Sequence, residues 1–387
     1  MCRDEALSFE IVTERSGFDA LEADWNALFQ RAGRAVQAFQ SFNWLWHWAN
    51  HYLTPAASTR LAIVTVRRGG VLILVWPLVR ERTAGLDCLA WMGAPVSQYG
   101  DVVIDDLTDA AAVLRASWVF IAERLAPDLV RLRKVRSDAA VAPLLAEIGT
   151  SSSERQQAPY IDLASAPDFE TYETRYPAKA RKNRRRQMRR LEERGAVEFE
   201  TKAGGAVARE LAQLGLALKR TWLADKGLVS PALADERMSR FIADAADGCH
   251  RSTGCRVSAL RSAGEAAAIE IAFACKGRLL VHVIVYGREF EKAGAGNLLV
   301  EESLRRAKAD GFDTFDLLAP GDAYKMDWAD GAVAVEDFAI ELSRAGRLYA
   351  TVYLGFVRQR LKAVVTSLPA SVRRLVASSY GIVAALL

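Results

Sequence analysis

One stretch of the chain, between residues 278 and 328, constrains the fold more than any other. An apolar run, Arg278–Tyr286, is followed by the small residues Ala293-Gly294-Ala295-Gly296-Asn297, by an amphipathic helix predicted over 298–310, and by a second apolar run over 314–318. Short apolar runs bounded by glycine turns are typical of buried strands. A helix between parallel strands implies a right-handed crossover, so this stretch predicts an α/β unit.

The small residues before the predicted helix are candidates for holding phosphate. Gly294, Ala295, Gly296 and Asn297 would bring backbone N–H groups close to an anion at a helix N-terminus, which the helix dipole favours. The pattern does not match the G-x-G-x-x-G of a dinucleotide fold, and no Walker lysine follows it. Taken alone, a plain turn between a strand and a helix explains the segment better.

A second motif follows the next strand. Phe315–Leu318 runs into Ala319-Pro320-Gly321-Asp322, and Tyr324, Lys325 and Trp328 come within eight residues of the turn. A lysine fixed beyond a strand end can stabilise developing negative charge, whereas an ordinary surface lysine is the alternative interpretation. Together with the glycine loop, this motif suggests a transferase that uses a phosphate-bearing carrier.

The length of 387 residues predicts two domains. We place an N-terminal lobe at 1–150, a C-terminal lobe at 158–345 and an amphipathic helical tail at 346–387. The second lobe is predicted to begin with long helices and to continue with antiparallel strands. The helices are placed at Phe169–Arg194, Ala206–Lys226 and Leu233–Ala246, and the strands at Cys255–Arg261 and Ala266–Cys275. Tight turns are predicted at Ser262-Ala263-Gly264 and at Lys276-Gly277.

Composition narrows the classes of function. The five cysteines form no C-x-x-C pair, which argues against a disulfide framework or a structural zinc site. His47 and His51 have a metal-compatible spacing on a predicted helix, but no third ligand is evident, so no metal is predicted. No signal peptide or run long enough to span a bilayer is visible. We therefore expect a cytoplasmic protein, with contact to the inner-membrane surface left open.

The order of these motifs resembles the coenzyme-A-binding half of the GNAT acyltransferase fold, and in particular the CelD-like acyltransferases, which are distant relatives of the FemAB peptidyl transferases. The N-terminal half agrees with this resemblance, which covers most of residues 35–340. The agreeing segments are Phe39-Gln40-Ser41-Phe42-Asn43-Trp44-Leu45, Trp76-Pro77-Leu78, Trp91-Met92-Gly93 and Gln98-Tyr99-Gly100-Asp101. The resemblance implies an α/β fold with two tandem GNAT-like lobes, each a mixed sheet flanked by helices.

The same resemblance implies an acyl-CoA site in the second lobe. Gly294, Ala295, Gly296 and Asn297 would then lie at the pyrophosphate, with acyl-CoA as a co-substrate and no tightly bound cofactor. Tyr324 and Lys325 come from the Tyr-Lys-x-x-Trp pattern. In FemAB-type relatives a lysine at this place faces the reacting carbonyl, where an ammonium would stabilise the tetrahedral oxyanion.

Acyl transfer to an amine also needs a proton acceptor. His282 is a candidate because imidazole titrates near working pH, although a histidine in an apolar strand is more often a core group. Glu270 is the competing base, since a carboxylate in an apolar strand should face a cleft or a partner. Asp316 and Asp322 are weaker candidates, and Asp322 has the alternative of capping the next helix.

Ten basic residues between 175 and 194 form the densest charge cluster, and Arg181, Arg184 and Arg185 are its candidate anion ligands. Like charges at helical spacing repel, so the density suggests an anionic partner, with a solvated helix face as the alternative. Phosphates of coenzyme A, a nucleotide-linked acceptor, anionic lipid and RNA are all open. The lack of interleaved aromatic residues disfavours RNA.

The functional expectation is an acyl-CoA-dependent acyltransferase that acts on an amine or hydroxyl of a cell-envelope precursor. A sphingoid base, an amino sugar and an exopolysaccharide are candidate acceptors, and the basic cluster and tail favour an amphiphilic one. Two alternatives stay open: a FemAB-like transferase that uses aminoacyl-tRNA, and a non-catalytic GNAT-like scaffold for polysaccharide assembly.

Overall fold

Strands and helices alternate along much of the chain. A computed structural model describes residues 6–54, 57–151, 155–226, 228, 230–357, 360 and 364. Most of the predicted tail, 346–387, lies outside these residues. The strands in chain order are β1 (Leu7–Val12), β2 (Arg60–Leu61), β3 (Ile63–Arg68), β4 (Val71–Trp76), β5 (Leu78–Thr83), β6 (Leu86–Trp91), β7 (Val103–Ile104), β8 (Leu129–Arg136), β9 (Thr150–Ser151), β10 (Gln156–Asp162), β11 (Val197–Lys202), β12 (Cys255–Ser262), β13 (Glu265–Cys275), β14 (Arg278–Tyr286), β15 (Thr314–Asp316) and β16 (Gly331–Glu341).

The helices cover the faces of the sheets. In chain order they are α1 (Arg15–Ala20), α2 (Glu22–Ala32), α3 (Phe42–Tyr52), α4 (Ala110–Leu125), α5 (Ala142–Ile148), α6 (Phe169–Glu173), α7 (Ala178–Glu192), α8 (Gly205–Asp225), α9 (Pro231–Ala234), α10 (Glu236–Asp247), α11 (Ala295–Ala309), α12 (Ala323–Trp328) and α13 (Arg344–Leu348). Short 3₁₀ segments lie at Ala35–Gln40, Leu163–Ser165 and Arg288–Ala293, and a π-helical segment at Tyr349–Val357.

The chain divides into two units. The first holds residues up to Gln157 together with Val333–Val364, and the second holds Ala158–Ala332 among the described residues. In this division, residues 333–345, predicted to end the second lobe, and residues 346–357 of the predicted tail belong to the first unit. Strand β16 groups with the first unit because it pairs antiparallel with β8, for example Ile340 with Val130.

In the first unit, β1, β3, β4 and β7 form one antiparallel sheet, and β16, β8, β6, β5 and β2 lie side by side in another. Strands β6 and β8 are parallel and the other pairs are antiparallel, so the second sheet is mixed. The core between the strands and α4 is rich in tryptophan. Trp76 is fully buried and its indole N–H donates to the Ser117 hydroxyl at 2.8 Å, which satisfies the one polar group of that ring.

A buried carboxylate organises the loops of the first unit. Asp101 is 3% exposed, and its Oδ2 accepts from the Gln37 amide at 2.7 Å and from Arg34 at 2.7 Å. The same side chain accepts from the backbone N–H groups of Ala140 and Val141 at 3.0 and 3.1 Å. The Asp101 carboxylate thus ties the segment before α3 to the segment before α5.

In the second unit the strand order is β11-β12-β13-β14-β15-β10. The hairpin turns predicted at Ser262-Ala263-Gly264 and Lys276-Gly277 are confirmed. Both central residues of each turn have positive φ, at 52° and 81° for Ala263 and Gly264 and at 42° and 76° for Lys276 and Gly277. This is the turn type whose twist matches that of paired strands.

The predicted crossover is confirmed. Strands β14 and β15 are parallel, and α11 lies between them in the chain. The predicted helix over Phe169–Arg194 is wrong as a single element, because Pro177 separates α6 from α7. Proline fixes its own φ and disfavours helical geometry in the preceding residue, so the second helix begins directly after it.

The described residues include neither a membrane-spanning helix nor a cluster of metal-ligating side chains. No described helix has the length and apolar character needed to cross a bilayer. The described histidine, cysteine, aspartate and glutamate side chains form no cluster of three or more that could hold a metal ion.

We predict that Asp101→Ala lowers the free energy of unfolding of the protein by about 3 kcal/mol, because the Gln37 amide and two buried backbone N–H groups lose their acceptor. Chemical denaturation followed by tryptophan fluorescence measures the change. Asp106→Ala is the matched control, since Asp106 is exposed. An Asp101 variant as stable as the control would show that the carboxylate does not organise these loops.

Candidate active site

The candidate site begins where two strands part. Strand β14 pairs with β15 only over Arg278–Leu280, because β15 ends at Asp316 while β14 continues to Tyr286. No other described strand pairs with this side of β14 beyond Leu280. The separation leaves an open strand edge and a cleft beside it.

A β-bulge marks the same point on the other side of β14. Ile271 pairs with Val283 and Ala272 pairs with Val281, so His282 is the extra residue. Bulges redirect side chains and are frequent next to active sites. The half-buried His282 ring packs edge-on against Phe273, with 5.7 Å between ring centroids. The structure therefore places His282 at the cleft's origin, among core side chains.

The end of β15 is held by a buried carboxylate. Asp316 is fully buried, and its Oδ2 accepts from Arg278 Nη1 at 2.9 Å. Its Oδ1 accepts from the backbone N–H of Leu318 at 2.9 Å. Leu318 has φ +59°, a left-handed conformation that is costly for a residue with a Cβ. Asp316 thus stabilises the turn that follows β15, a structural task that differs from its predicted catalytic one.

Lys325 lies inside this turn. Its Nζ donates to the carbonyl oxygens of Leu318 at 3.1 Å and Pro320 at 3.0 Å. Burial lowers the pKa of Lys325 to about 8, and Asp322 opposes that shift. The ammonium is therefore fixed by two carbonyls and retains one N–H for a further acceptor.

A cavity of about 620 Å³ lies along the free part of β14. It receives residues from α7, α8, β14, the start of α11 and the turn after β15. Five candidate residues of the sequence analysis line it, namely Gly294, Gly296, Asn297, Asp322 and Tyr324. The full lining is Gln187, Lys219, Trp222, Leu223, Leu228, Ile284, Val285, Tyr286, Glu291, Gly294, Gly296, Asn297, Asp322 and Tyr324.

The glycines permit a close approach of chain segments at one end of the cavity. Gly294 has φ +74°, and a Cβ there would lie 2.3 Å from Nε2 of Gln187. A Cβ on Gly296 would lie 2.9 Å from the Tyr286 ring. Helix α11 begins at Ala295, three residues before its predicted start, so its first turn faces the cavity with N–H groups at the positive end of the helix dipole.

Sequence reasoning missed Lys219 on α8. Its Nζ donates to the Ile284 carbonyl oxygen at 3.1 Å and lies 4.6 Å from the Trp222 ring centroid. Burial lowers the pKa of Lys219, and Asp322 opposes the shift. The signal was present in the sequence: Lys219 continues the apolar stripe of Ala212 and Leu216 at helical spacing, where a charged residue needs a polar partner.

Four ionisable side chains meet at the end of the cavity near Lys325. Asp322 begins α12 without accepting a capping hydrogen bond through its side chain. Its charge acts on Lys219, on Lys325 and on Tyr324, whose pKa burial raises to about 12. Asp322, which the sequence offered as a weaker candidate base, thus lines the cavity, whereas Glu270 and His282 are not among the described residues that line it.

Glu270 lies in the core instead of the cavity. It is 1% exposed, and its Oε2 has no hydrogen-bond partner among the described residues. Burial raises the pKa of Glu270 to about 8, so the carboxyl group is protonated at neutral pH. Neither Glu270, His282 nor Asp316 is among the described residues that line the cavity.

The structure contradicts the prediction that Arg184 is available to bind an anionic ligand. This side chain is buried, and its Nε lies 2.9 Å from Oε1 of Glu301. The guanidinium carbon lies 4.8 Å from the Trp328 ring centroid, so both the arginine and the tryptophan of the Tyr-Lys-x-x-Trp pattern serve the core. Arg181 and Arg185, in contrast, line a shallow surface depression on α7 with Lys182 and Arg189.

Comparison with known proteins agrees with this geometry. A family model described as an acetyltransferase (GNAT) domain matches residues 178–326, which include the cavity. Residues 178–326 are therefore similar to a GNAT acetyltransferase domain, and the predicted α/β fold class with GNAT-like lobes is confirmed. The narrower CelD-like assignment is not confirmed.

Solved structures with the same fold include FemX, at 11% identity and TM-score 0.59, covering 89% of this chain and 99% of FemX. The structure of L-PGS from Bacillus licheniformis matches at 12% identity and TM-score 0.53, over 87% of this chain and 96% of L-PGS. A conserved protein of unknown function from Bacteroides thetaiotaomicron matches at 14% identity and TM-score 0.53, over 87% of this chain and 100% of that protein's chain. No curated protein matches the chain significantly.

We predict that the stability of the wild-type protein depends on pH through Glu270. The folded-state pKa is raised from 4.5 to about 8, so this contribution is complete below pH 4.5 and is lost as the pH rises through 8. The loss amounts to at most about 5 kcal/mol. Glu270→Gln should remove this part of the pH dependence and leave the variant more stable than wild type at pH 8.

Urea denaturation at pH 5 and pH 8 measures this difference. Glu198→Gln, an exposed substitution on β11, is the control and should keep the wild-type pH dependence. Equal pH dependence in Glu270→Gln and wild type would contradict the assignment of a neutral core carboxyl group.

Proposed function

We propose that this chain is an acyltransferase that takes an acyl group from acyl-CoA and passes it directly to an amine or hydroxyl of a cell-envelope precursor. The observation that carries the proposal is the cleft beside the free part of β14. Its lining includes the start of α11, at Gly294, Gly296 and Asn297, and two residues, Asp322 and Tyr324, next to the turn that holds Lys325. A thioester carrier with a phosphate end needs both features within one cavity.

The phosphate end of the carrier is proposed to lie at Gly294, Ala295, Gly296 and Asn297. The N–H groups of Gly294 and Asn297 already donate to the Glu291 and Gly294 carbonyls. The N–H groups of Ala295 and Gly296, together with the dipole of this 15-residue helix, would therefore hold the anion. Coenzyme A would act as a co-substrate that leaves after each turnover, and no tightly bound cofactor is proposed.

Lys325 is proposed to stabilise the oxyanion. Two of its three N–H groups are held by carbonyls of the turn, so the third has a fixed direction toward an acceptor. Attack of the acceptor nitrogen or oxygen on the thioester carbonyl forms the tetrahedral oxyanion. The C–S bond then breaks, and coenzyme A leaves as a thiolate.

Asp322 is proposed as the proton acceptor for the attacking group, with Tyr324 beside it. Its carboxylate lines the cavity and acts on both lysines, whereas Glu270 is protonated in the core and His282 packs on Phe273. An ionised carboxylate can accept the proton that an amine loses during attack.

The acceptor is proposed to be an amphiphilic lipid, such as a sphingoid base, or an amino sugar at the inner surface of the membrane. The basic face of α7, with the exposed Arg185 and Arg189 and the half-buried Arg181, supports contact with an anionic membrane surface. The predicted tail would add to this contact and lies largely outside the described residues.

Aminoacyl transfer from tRNA is the second candidate function, and the same basic face favours it because tRNA is a polyanion. The similarity to FemX concerns the fold alone, so it does not decide between the two carriers.

We predict that purified protein releases free thiol from an acyl-CoA only when an amine or hydroxyl acceptor is present. A thiol-reactive dye measures release over a panel of acyl chain lengths, with a sphingoid base and an amino sugar as acceptors, and mass spectrometry identifies the product. Activity that ribonuclease does not affect supports the acyl-CoA proposal. Transfer that requires charged tRNA and is lost on ribonuclease treatment would favour the second candidate.

We predict that Lys325→Met lowers kcat about 100-fold at pH 7, because the oxyanion loses a charged donor. The pKa of Lys325 is about 8, so the ammonium is present below this pH and is lost above it. With a hydroxyl acceptor, which does not titrate in this range, the wild-type rate should fall above pH 8. Lys325→Arg should retain activity above pH 8, because guanidinium stays charged.

Asp327→Asn, an exposed substitution on the same helix, is the control and should behave as wild type. Thermal unfolding of each variant separates loss of turnover from loss of fold. A folded Lys325→Met variant with wild-type kcat would remove Lys325 from the proposed mechanism.

A further inference from the structure

Helix α7 carries more positive charge than its surroundings neutralise. Eight of its 15 residues are lysine or arginine, and Glu192 is its one acidic residue. Arg184 pairs with Glu301 at 2.9 Å and with Glu173 at 3.6 Å. No ion pair of the other seven cations is seen within the described part of the chain. Cations that repel one another at this density indicate an anionic partner.

Four of these cations line the shallow depression on α7. Arg181, Arg185 and Arg189 follow one another at a spacing of four residues, so their side chains are neighbours on one stripe. Nε of Arg181 is buried and has no hydrogen-bond partner among the described residues. A buried donor without an acceptor in a basic depression indicates a position where an anion can bind. The full lining is Ala178, Arg181, Lys182, Arg185, Met188, Arg189 and Glu192.

The start of α7 has little local stabilisation. Pro177 precedes the helix without a side-chain cap, and the first turn contains no acidic residue. Lys179 and Arg181 lie there instead, at the positive end of the helix dipole, where a cation is unfavourable. An anion bound beside this turn would offset both the dipole and the repulsion between the cations, and would therefore stabilise α7.

The stability of α7 affects the candidate active site. Gln187 lines the cavity and lies so close to Gly294 that a Cβ there would be 2.3 Å from the Gln187 Nε2 atom. Arg184 pairs with Glu301 on α11, and its guanidinium carbon lies 4.8 Å from the Trp328 ring centroid on α12. Both arrangements require that α7 stays helical along this part of its length.

We propose that the depression on α7 binds phosphate groups of anionic lipid headgroups, and that this binding stabilises α7 and thereby raises the activity of the candidate active site. The effect on activity rests on the proposed function, whereas the phosphate site stands without it. Guanidinium groups donate paired N–H groups to phosphate oxygens, which suits the arginine stripe to this ligand.

Lipid headgroups fit this surface better than free phosphate or RNA does. The stripe from Arg181 to Arg189 is about 12 Å long at the rise of an α-helix, so it can contact phosphates that lie side by side, as they do at a bilayer surface. Free phosphate ions at such spacing would repel one another. The described lining contains no aromatic side chain on which a base could stack.

The first test is sedimentation of the full chain with vesicles of phosphatidylcholine, with and without phosphatidylglycerol, at constant ionic strength. Arg185→Gln combined with Arg189→Gln removes two exposed cations of the depression. We expect the affinity of this variant for the anionic vesicles to be about 30-fold below that of wild type. Without vesicles, its Tm should equal or exceed the wild-type Tm, because repulsion along α7 is relieved.

Arg240→Gln combined with Lys276→Gln is the matched control, because it removes the same charge from exposed positions outside α7. This control should bind the anionic vesicles as wild type does. An equal loss of binding in both double variants would show a general effect of net charge and would overturn the site. Vesicle binding at the wild-type level by the α7 variant would overturn it as well.

Two soluble anions distinguish the source of the phosphate groups. The Tm of wild type is followed with anionic vesicles, with inorganic phosphate and with transfer RNA, each at the same ionic strength. Anionic vesicles should raise the Tm more than inorganic phosphate does. An equal rise with inorganic phosphate overturns the lipid source. Tighter binding of transfer RNA than of vesicles also overturns it and favours the second candidate function.

Thiol release from acetyl-CoA, with a water-soluble amino sugar as acceptor, tests the effect on activity. This acceptor does not enter the bilayer, so vesicles act through the protein alone. Anionic vesicles should raise the kcat of wild type about fivefold and leave the kcat of the α7 variant unchanged. Vesicle binding without a change in kcat overturns the effect on activity and leaves the phosphate site. Vesicle binding by a wild-type protein that turns over no acyl-CoA overturns the proposed function and the effect on activity, but not the phosphate site.

Discussion

The hydrogen bonds of the buried Asp316 carboxylate determine the geometry of the candidate site. One oxygen holds Arg278 at the start of β14, and the other holds the backbone of Leu318 in a left-handed turn. Strand β15 therefore ends at this residue, while β14 continues without a partner on that side. The cavity, the open strand edge and the carbonyl groups that hold Lys325 all result from this early end of one strand.

Burial also determines the chemistry of the charged groups around the cavity. The pKa values of Lys219 and Lys325 are both lowered by removal from water, and Asp322 partly restores the charged forms. Their ammonium groups are fixed by backbone carbonyls, so they are oriented before a substrate arrives. Preorganised charges in a poorly solvated site stabilise developing charge more strongly than mobile surface charges do.

Local patterns in the sequence were sufficient to predict the β14–α11–β15 crossover and the two hairpin turns. Patterns of this kind depend on residues close together in the chain. They failed where the outcome depends on tertiary contacts. Whether Glu270 faces a cleft or the core, and whether Arg184 faces solvent or Glu301, is decided by elements far away in sequence. Lys219 was missed because its partner, the Ile284 carbonyl, lies on a distant strand.

The buried guanidinium of Arg184 has a consequence beyond stability. It comes from α7, forms an ion pair with Glu301 on α11, and lies against Trp328 on α12. Helix α11, whose first turn lines the cavity, and helix α12, which carries Lys325, are therefore held in place by the same arginine side chain. Divergence of such a protein toward a bulkier or smaller carrier could not shift one end of the cavity alone. Compensating substitutions would have to arise in all three helices together.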